Sequence, residues 1–587
     1  MNFLKRVLST VVGIFVFLLI CFFFLFIIGS VFMKTSKKQP KIADKSILEL
    51  KLHAPVKDYG GKTRFKNYSF LDEDNKDGLF MLISAIDHAA TDKSIEGISI
   101  EVPTARAGIT QLKNLREALE RFKASGKFVT AYGNIYSQSD YYLSSVADSI
   151  FLSPAGFLDF KGLATELVYT KDFQEKTGVK MEVVRMGKYK SAVEPFLDNE
   201  ISENNKEQIL SYLNSIWENL RVEIGQNRNI SAEYLDTIAD QLLARTPERA
   251  LDLGLVDKIA YRDEYESGLK QYLDIDRKKD LKFVNILDYT ENIGNQNIYK
   301  HNSNKIAVIY AQGEIIDGQG SVNKIGPEEI NKALRAARTN KNVKAIVLRV
   351  NSPGGSAMAS EHIWKEIENT KKEKPVIVSM GNLAASGGYY IAANADRIFA
   401  EPSTITGSIG VFGMLPNFKG LTDKVGLYSQ QVKTNENAIT YSPFQEMDEN
   451  QHDFILESIE RIYHLFKSRV AEGRNLSMDE VEEVAQGRVW TGEQALELGL
   501  VDQLGGLHDA LEYAATQADI DKYQVTEYPV YKVDIDKFLR QFGMEASKTE
   551  ITKEILGEEL YPIFEDLKSK SERKGIQLIF PYSTEIK

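Results

Sequence analysis

A chain of 587 residues, 43% apolar and 26% charged with 15 prolines, is globular and too long for one hydrophobic core. Its formal charge of −11 speaks against a nucleic-acid partner, because phosphate recognition needs a basic surface. A single cysteine, Cys21, leaves no disulfide framework and no cysteine-ligated zinc site.

In chain order, the first feature is the uncharged run at residues 7–33. As a helix it would be about 40 Å long, enough to cross a hydrocarbon core of about 30 Å with tilt. The run exceeds a secretory signal's apolar region and has no small-x-small cleavage site, so residues 1–34 are expected to be a retained membrane anchor. Lys5 and Arg6 precede it, and Lys34, Lys37 and Lys38 follow it, so flanking charge does not set its orientation.

Beyond the anchor the chain repeats itself. A shift of 248 lays "YYLSSVADSIFLSPA", starting at Tyr141, over "YYIAANADRIFAEPS", starting at Tyr389. The same shift aligns "IEGISIEV" with "VKAIVLRV" and Gly178 with Gly426, and a shift of 245 aligns "ERALDLGLVDKI" with "EQALELGLVDQL". Two similar halves are therefore expected, at 45–285 and 305–520. Residues 286–304 form a polar linker between them and 521–587 a C-terminal extension. In the second half, "KIAVIYAQGEI" reads as strand, "GPEEINKALRAARTN" as helix and "VKAIVLRVNSPGG" as strand plus turn. "SAMASEHIWKEIENTKKE" reads as helix and "KPVIVSMG" as strand, before a helix that Ser386 opens. This alternation predicts α/β layers. The extension mixes an amphipathic stretch with a short apolar end, which would suit packing on a neighbouring subunit or a place near the membrane.

The differences between the halves are more informative. Ser386 falls on Gln138, Gly387 and Gly388 fall on Ser139 and Asp140, and "NSPGGS" falls on "PTARAG". Conversely, Lys190 of "GKYKSAVEPF" falls on Ala438. One half keeps a serine in a glycine turn and the other keeps a lysine, as a composite site would require. A serine hydroxyl needs a base to become a nucleophile. None of the seven histidines sits in a glycine-rich turn or at the end of an apolar strand. A lysine can serve if burial keeps it neutral, and Ala192, Val193 and Phe196 make desolvation near Lys190 reasonable. Lys188, two residues earlier, is the reserve candidate. The turn glycines Gly354 and Gly355, with the N–H of Gly387, would supply an oxyanion hole. An extended peptide would pair along the neighbouring strand edge. No phosphate-binding GxxxxGK[ST], HExxH or cysteine–histidine cluster is present, so no cofactor and no metal is expected.

Together, "RVNSPGGS", "SMGNLAASGGYYIAANADRIFAEPSTITGSIGVFG", "GKYKSAVEPF" and "VWTGEQALELGLVD" resemble the signal peptide peptidase A (protease IV) family in its long, duplicated form. The resemblance runs from about residue 45 to 520 and includes the anchor. It implies two tandem crotonase-like and Clp-protease-like ββα-spiral repeats plus a transmembrane helix. It implies a membrane-bound serine endopeptidase that degrades released signal peptides through a Ser–Lys dyad and an acyl-enzyme. Ser386 matches the family's nucleophile and Lys190 its general base; Ser408 matches a second serine near the lysine, an orienter. The resemblance further implies a homotetramer contacting lipid through the N-terminal helix, with its soluble part facing outward from the cytoplasmic membrane. Two alternatives stand beside it. A crotonase-type acyl-CoA enzyme would share the backbone oxyanion hole but needs no anchor. A catalytically silent peptide-binding scaffold would need the motif lost from both halves.

Overall fold

The computed structural model describes residues 42–52, 55–65, 72–101, 106–295, 304–533 and 576–579, together with Gly13, Val16 and Phe17. Apart from those three positions, the expected anchor lies outside the described residues. Among the described residues no helix is long and apolar enough to cross a membrane. The chain divides into a unit ending at Ala43 and a second, Asp44–Lys587, that holds both repeats.

Two sheets, each built on a parallel series of strands, carry the duplication. In the first, the strand order is Lys258–Ile259, Ser149–Leu158, Phe128–Tyr136, Ile95–Ile100, Ser46–Leu50 and Lys282–Asn285. In the second, Gln503–Leu504, Arg397–Ala400, Val376–Ala385, Val343–Ser352, Lys305–Gln312 and Gln524–Tyr528 follow the same order. Every pairing along both series is parallel. The strands read as near-continuous apolar runs because helices cover their faces; all residues from Ile306 to Ala311 are buried. Individual bonds repeat as well. Tyr141 Oη donates to Leu255 O and Tyr389 Oη to Leu500 O, each at 2.9 Å. The long helices Glu203–Arg228 and Glu449–Arg474 each end in a left-handed asparagine, Asn229 and Asn475, and their last arginines pair with Asp257 and Asp502.

The segment between the repeats is only partly the expected linker. Ile286–Asn295 is a helix, with Ile286, Tyr289 and Ile293 buried at helical spacing among polar residues that masked the periodicity. The second sheet also runs past residue 520, to Tyr528. Polar contacts join the repeats: Asn382 Oδ1 accepts from Thr110 N at 3.1 Å and Thr110 Oγ1 at 2.7 Å, and buried Arg349 faces buried Asp58.

A third sheet belongs to both repeats and positions the site. Its order is Lys324–Ile325, Glu314–Ile315, Gly354–Ser356, Ile576–Ile579, Val411–Asn417 and Lys180–Met186. Lys180–Met186 comes from the first repeat and runs antiparallel to Val411–Asn417 of the second, Met186 opposite Val411. The C-terminal extension thus places a strand in the chain's own sheet, a third arrangement beside the two read from its sequence. Ile576–Ile579 lies antiparallel to both neighbours, with Gly354 opposite Ile579 and Phe412 opposite Gln577.

Candidate active site

The strand Val376–Ala385 gives way to the helix Gly387–Ala392 within one residue, and that residue is Ser386, at φ 56° and ψ −115°. Such a conformation costs a non-glycine residue about 1–3 kcal/mol and persists only where its surroundings enforce it. Here Ser386 N donates to Gly407 O at 2.8 Å, and Ser386 O accepts from Tyr390 N at 2.9 Å. All six helix residues are buried. The double glycine is a packing requirement of this elbow: a Cβ on Gly387 would stand 2.8 Å from Ser360 Oγ, and one on Gly388 2.8 Å from Ser352 O.

Lys190 arrives from the other repeat. After Lys180–Met186 the chain turns at Gly187, φ 100°, where a Cβ would strike the backbone of Gln486 at 2.5 Å. Tyr189 N then donates to Gln486 O at 2.9 Å. Lys190 is 0% exposed. Its Nζ lies 2.9 Å from Ser386 Oγ, 3.0 Å from Ser408 Oγ and 3.1 Å from Ser408 O. No carboxylate is among its hydrogen-bond partners among the described residues, and burial pushes its pKa well below the ordinary 10.5. A neutral amine has two N–H groups and one lone pair. In that form the three oxygens match it: Ser386 O–H would donate into the lone pair while the two N–H groups donate to Ser408 O and Oγ. Ser408 is itself held at φ 51°, its N–H donating to Arg488 O at 2.7 Å.

Two glycines unnoticed in the sequence make room for the lysine. A Cβ on Gly487, φ 77°, would stand 2.7 Å from Lys190 N and Cβ, and one on Gly410 would stand 3.2 Å from Lys190 Cδ. The reserve candidate, Lys188, lies outside the site: it is exposed, its Nζ 4.9 Å from the Tyr189 ring centroid. The apolar residues expected to dry the lysine do pack together, Val193 with Phe412 and Met414, and Ala192 and Phe196 against them. Among the described histidines, His88 bonds Tyr289 Oη, and His362, His452, His464 and His508 are exposed. None contacts Ser386.

The glycine turn behaves unevenly. Gly354 N donates to Ser352 Oγ at 3.1 Å, so that N–H is engaged within the turn. Gly355 has φ 152°, and a Cβ there would collide with Ile315 O at 1.9 Å. Its nitrogen lies 3.2 Å from where a Cβ on Gly387 would stand, so Gly355 and Gly387 meet beside the serine. In the first repeat the corresponding place is closed. Gln138 donates to Gly162 O at 3.0 Å and accepts from the N–H groups of Lys161 and Gly162.

The arrangement is a strained, buried serine facing an amine, with two glycine amides beside it, as acyl transfer requires. Comparison with known proteins bears on which acyl group. The sequence model described as Peptidase family S49 matches residues 121–276 and 368–521, and that described as Clp protease matches 299–406. Protease 4 of Haemophilus influenzae is 38% identical over 444 residues, 74% of this chain and 72% of the relative. Protease 4 of Salmonella typhi is 37% identical over 463 residues, 77% and 74% of the two chains. An Enterococcus faecium protein whose name describes a signal peptide peptidase, SppA, is 36% identical over 252 residues, 42% of this chain and 73% of that one.

Proposed function

Because the chain belongs to peptidase family S49, and is thus a serine endopeptidase with a Clp-protease-like α/β fold, we propose that Ser386 is its nucleophile and Lys190 its general base. The observation that carries this reading is the buried Lys190 Nζ at 2.9 Å from Ser386 Oγ, its pKa pushed well below 10.5 by burial. Family membership removes the acyl-CoA and silent-scaffold alternatives.

The steps follow from the geometry. Ser386 O–H gives its proton to Lys190 Nζ as Oγ attacks the scissile carbonyl. The new ammonium is held by Ser408 O and Oγ, which makes Ser408 the orienter. The N–H groups of Gly355 and Gly387 receive the oxyanion, with Gly354 shaping the turn. Lys190 returns the proton to the leaving amine, and an acyl-enzyme remains. A water then gives a proton to the neutral lysine as its oxygen attacks the ester carbonyl, and when the carbonyl–Oγ bond breaks Lys190 returns that proton to Ser386 Oγ, freeing the serine and the product acid.

The substrates in this reading are released signal peptides. The Enterococcus relative's name supports that class, and an anchor at residues 1–34 would hold the site at the membrane where such peptides are left. The protein would cross the cytoplasmic membrane once, touch lipid through that helix, carry its soluble part on the outer or periplasmic side, and act as a homotetramer. The test uses full-length protein in detergent with casein or a synthetic signal peptide. Ser386→Ala and Lys190→Ala are each expected to lower kcat about 10⁴-fold or more. Undiminished cleavage by either variant removes the dyad. Cleavage of casein but not signal peptide removes the substrate class alone.

A further inference from the structure

Lysine has a long, flexible side chain, and nothing in an amine's chemistry fixes where its loop sits. We infer that Gln208 is the positioning residue that fixes the Lys190 loop against the half of the site carrying Ser386; this rests on the dyad reading above. Gln208 lies in the first turns of Glu203–Arg228 and is 0% exposed. Its Nε2 lies 3.1 Å from Tyr189 O and 3.0 Å from Ser191 Oγ, the residues on either side of Lys190. Asn205 Oδ1 is a third acceptor, at 3.2 Å. On its other side, Gln208 Oε1 accepts from Val489 N of the second repeat at 3.4 Å. Oxygens on one side and an N–H on the other fix which way the amide points.

The contacts close a circuit. Val489 follows Arg488, whose carbonyl accepts from Ser408 N at 2.7 Å. Ser408 O and Oγ in turn hold Lys190 Nζ. One amide therefore ties the lysine's backbone to the segment that receives its amine. Support lies behind it: Asn205 Nδ2 donates to buried Glu194, which also accepts from Ser202 N at 3.1 Å.

The duplication gives independent evidence. The helices Glu203–Arg228 and Glu449–Arg474 are both 26 residues long. Laid Glu203 on Glu449, Gln208 falls on Phe454, which is 58% exposed. The copy that has Ala438 in place of the lysine also lacks the glutamine. A glutamine kept for packing alone would have no reason to follow the lysine.

The charged groups packed around this loop are Arg185, whose Nη1 donates to Lys190 O at 3.4 Å, Glu194, and Arg488 paired with Glu207. None of them is bonded to Nζ. The test uses the full-length chain, with kcat taken per active site titrated by a fluorophosphonate, so that a loss of folded protein does not count. Gln208→Met removes the donors at similar volume. It is expected to lower kcat about 10- to 100-fold with KM within about twofold. It should also move the acid limb of the kcat/KM profile to higher pH, because a loosened lysine is better hydrated. Gln208→Glu is nearly isosteric and serves if the first variant folds poorly. It is expected to move the limb the same way, since a carboxylate near the loop favours the ammonium. Wild-type kcat per titrated site and an unmoved limb would overturn the proposal. Lys190→Ala is measured beside them. Full activity there sinks the dyad itself, whereas an inactive Lys190→Ala with normal Gln208 variants sinks only the positioning role.

Discussion

Lys190 is useful as a base only while it is uncharged, and the same burial that favours that form costs stability. Its folded pKa lies well below the 10.5 of an exposed lysine. Between those two values the unfolded chain binds more protons than the folded one, so this residue makes stability rise with pH across that window. Lys190→Met, of similar reach and without charge, is expected to abolish cleavage yet raise Tm at neutral pH by about 2 °C or more, the gain fading as pH approaches 10.5. Thermal unfolding followed by circular dichroism at several pH values measures this; a lower Tm in the variant would contradict it. Gly487 gives a second residue-scale outcome. Gly487→Ala puts a Cβ 2.7 Å from Lys190 N at a positive φ, so labelling of Ser386 by a fluorophosphonate is expected to slow at least about tenfold. Of these residues, Ser386 and Gly387 were legible because the repeat lacks them at the aligned positions. Lys190 was separable from Lys188 only by the family resemblance, since alternate residues of a loop look alike until burial assigns them. Gly410, Gly487 and Gln208 were not legible, because what they touch lies in the other repeat or across a turn.

At the scale of elements, the strands Lys305–Gln312, Val343–Ser352 and Val376–Ala385 could be read from β-branched and aliphatic runs, and the helices Pro327–Thr339 and Ala357–Lys371 from their periodicity. The third sheet could not. Lys180–Met186 pairs with a strand more than two hundred positions away, and a register of that kind leaves no local trace. Nor did the C-terminal extension announce Ile576–Ile579. That strand lies against Gly354–Ser356, the edge along which an extended peptide presented to Ser386 is expected to pair. Removing residues 576–587 is therefore expected to raise kcat/KM on peptides several-fold while leaving Ser386 and Lys190 in register. Steady-state cleavage by truncated and intact chains checks it; a fall in activity would make the strand a needed wall of the cleft.

At the scale of the whole molecule, the joint between the repeats predicts how copies would meet. Shifted by 248, Lys180–Met186 corresponds to 428–434 and Val411–Asn417 to 163–169. Neither segment has a strand partner among the described residues, and Val168, Tyr428 and Val432 are exposed, Val432 at 98%. Segment 428–434 of one copy is expected to pair with 163–169 of the next, repeating head to tail the joint already made within the chain. Sedimentation of the detergent-solubilised protein should show an oligomer that Val168→Asp and Val432→Asp together dissociate; a monomeric wild type would contradict it. The two-repeat plan was the most legible feature of the molecule, because duplicated sequence reports duplicated structure directly, whereas the polar contacts between the copies carry no such signature.

The most direct test of the whole account is the rate at which a fluorophosphonate acylates Ser386 between about pH 5 and about pH 10, in the wild type and in Lys190→Ala. The expected result is a rate that rises with pH through one group of pKa well below 10.5 in the wild type, and a slow rate without that limb in the variant. Equal rates and equal profiles in the two proteins would mean that the serine is activated by something other than the lysine beside it.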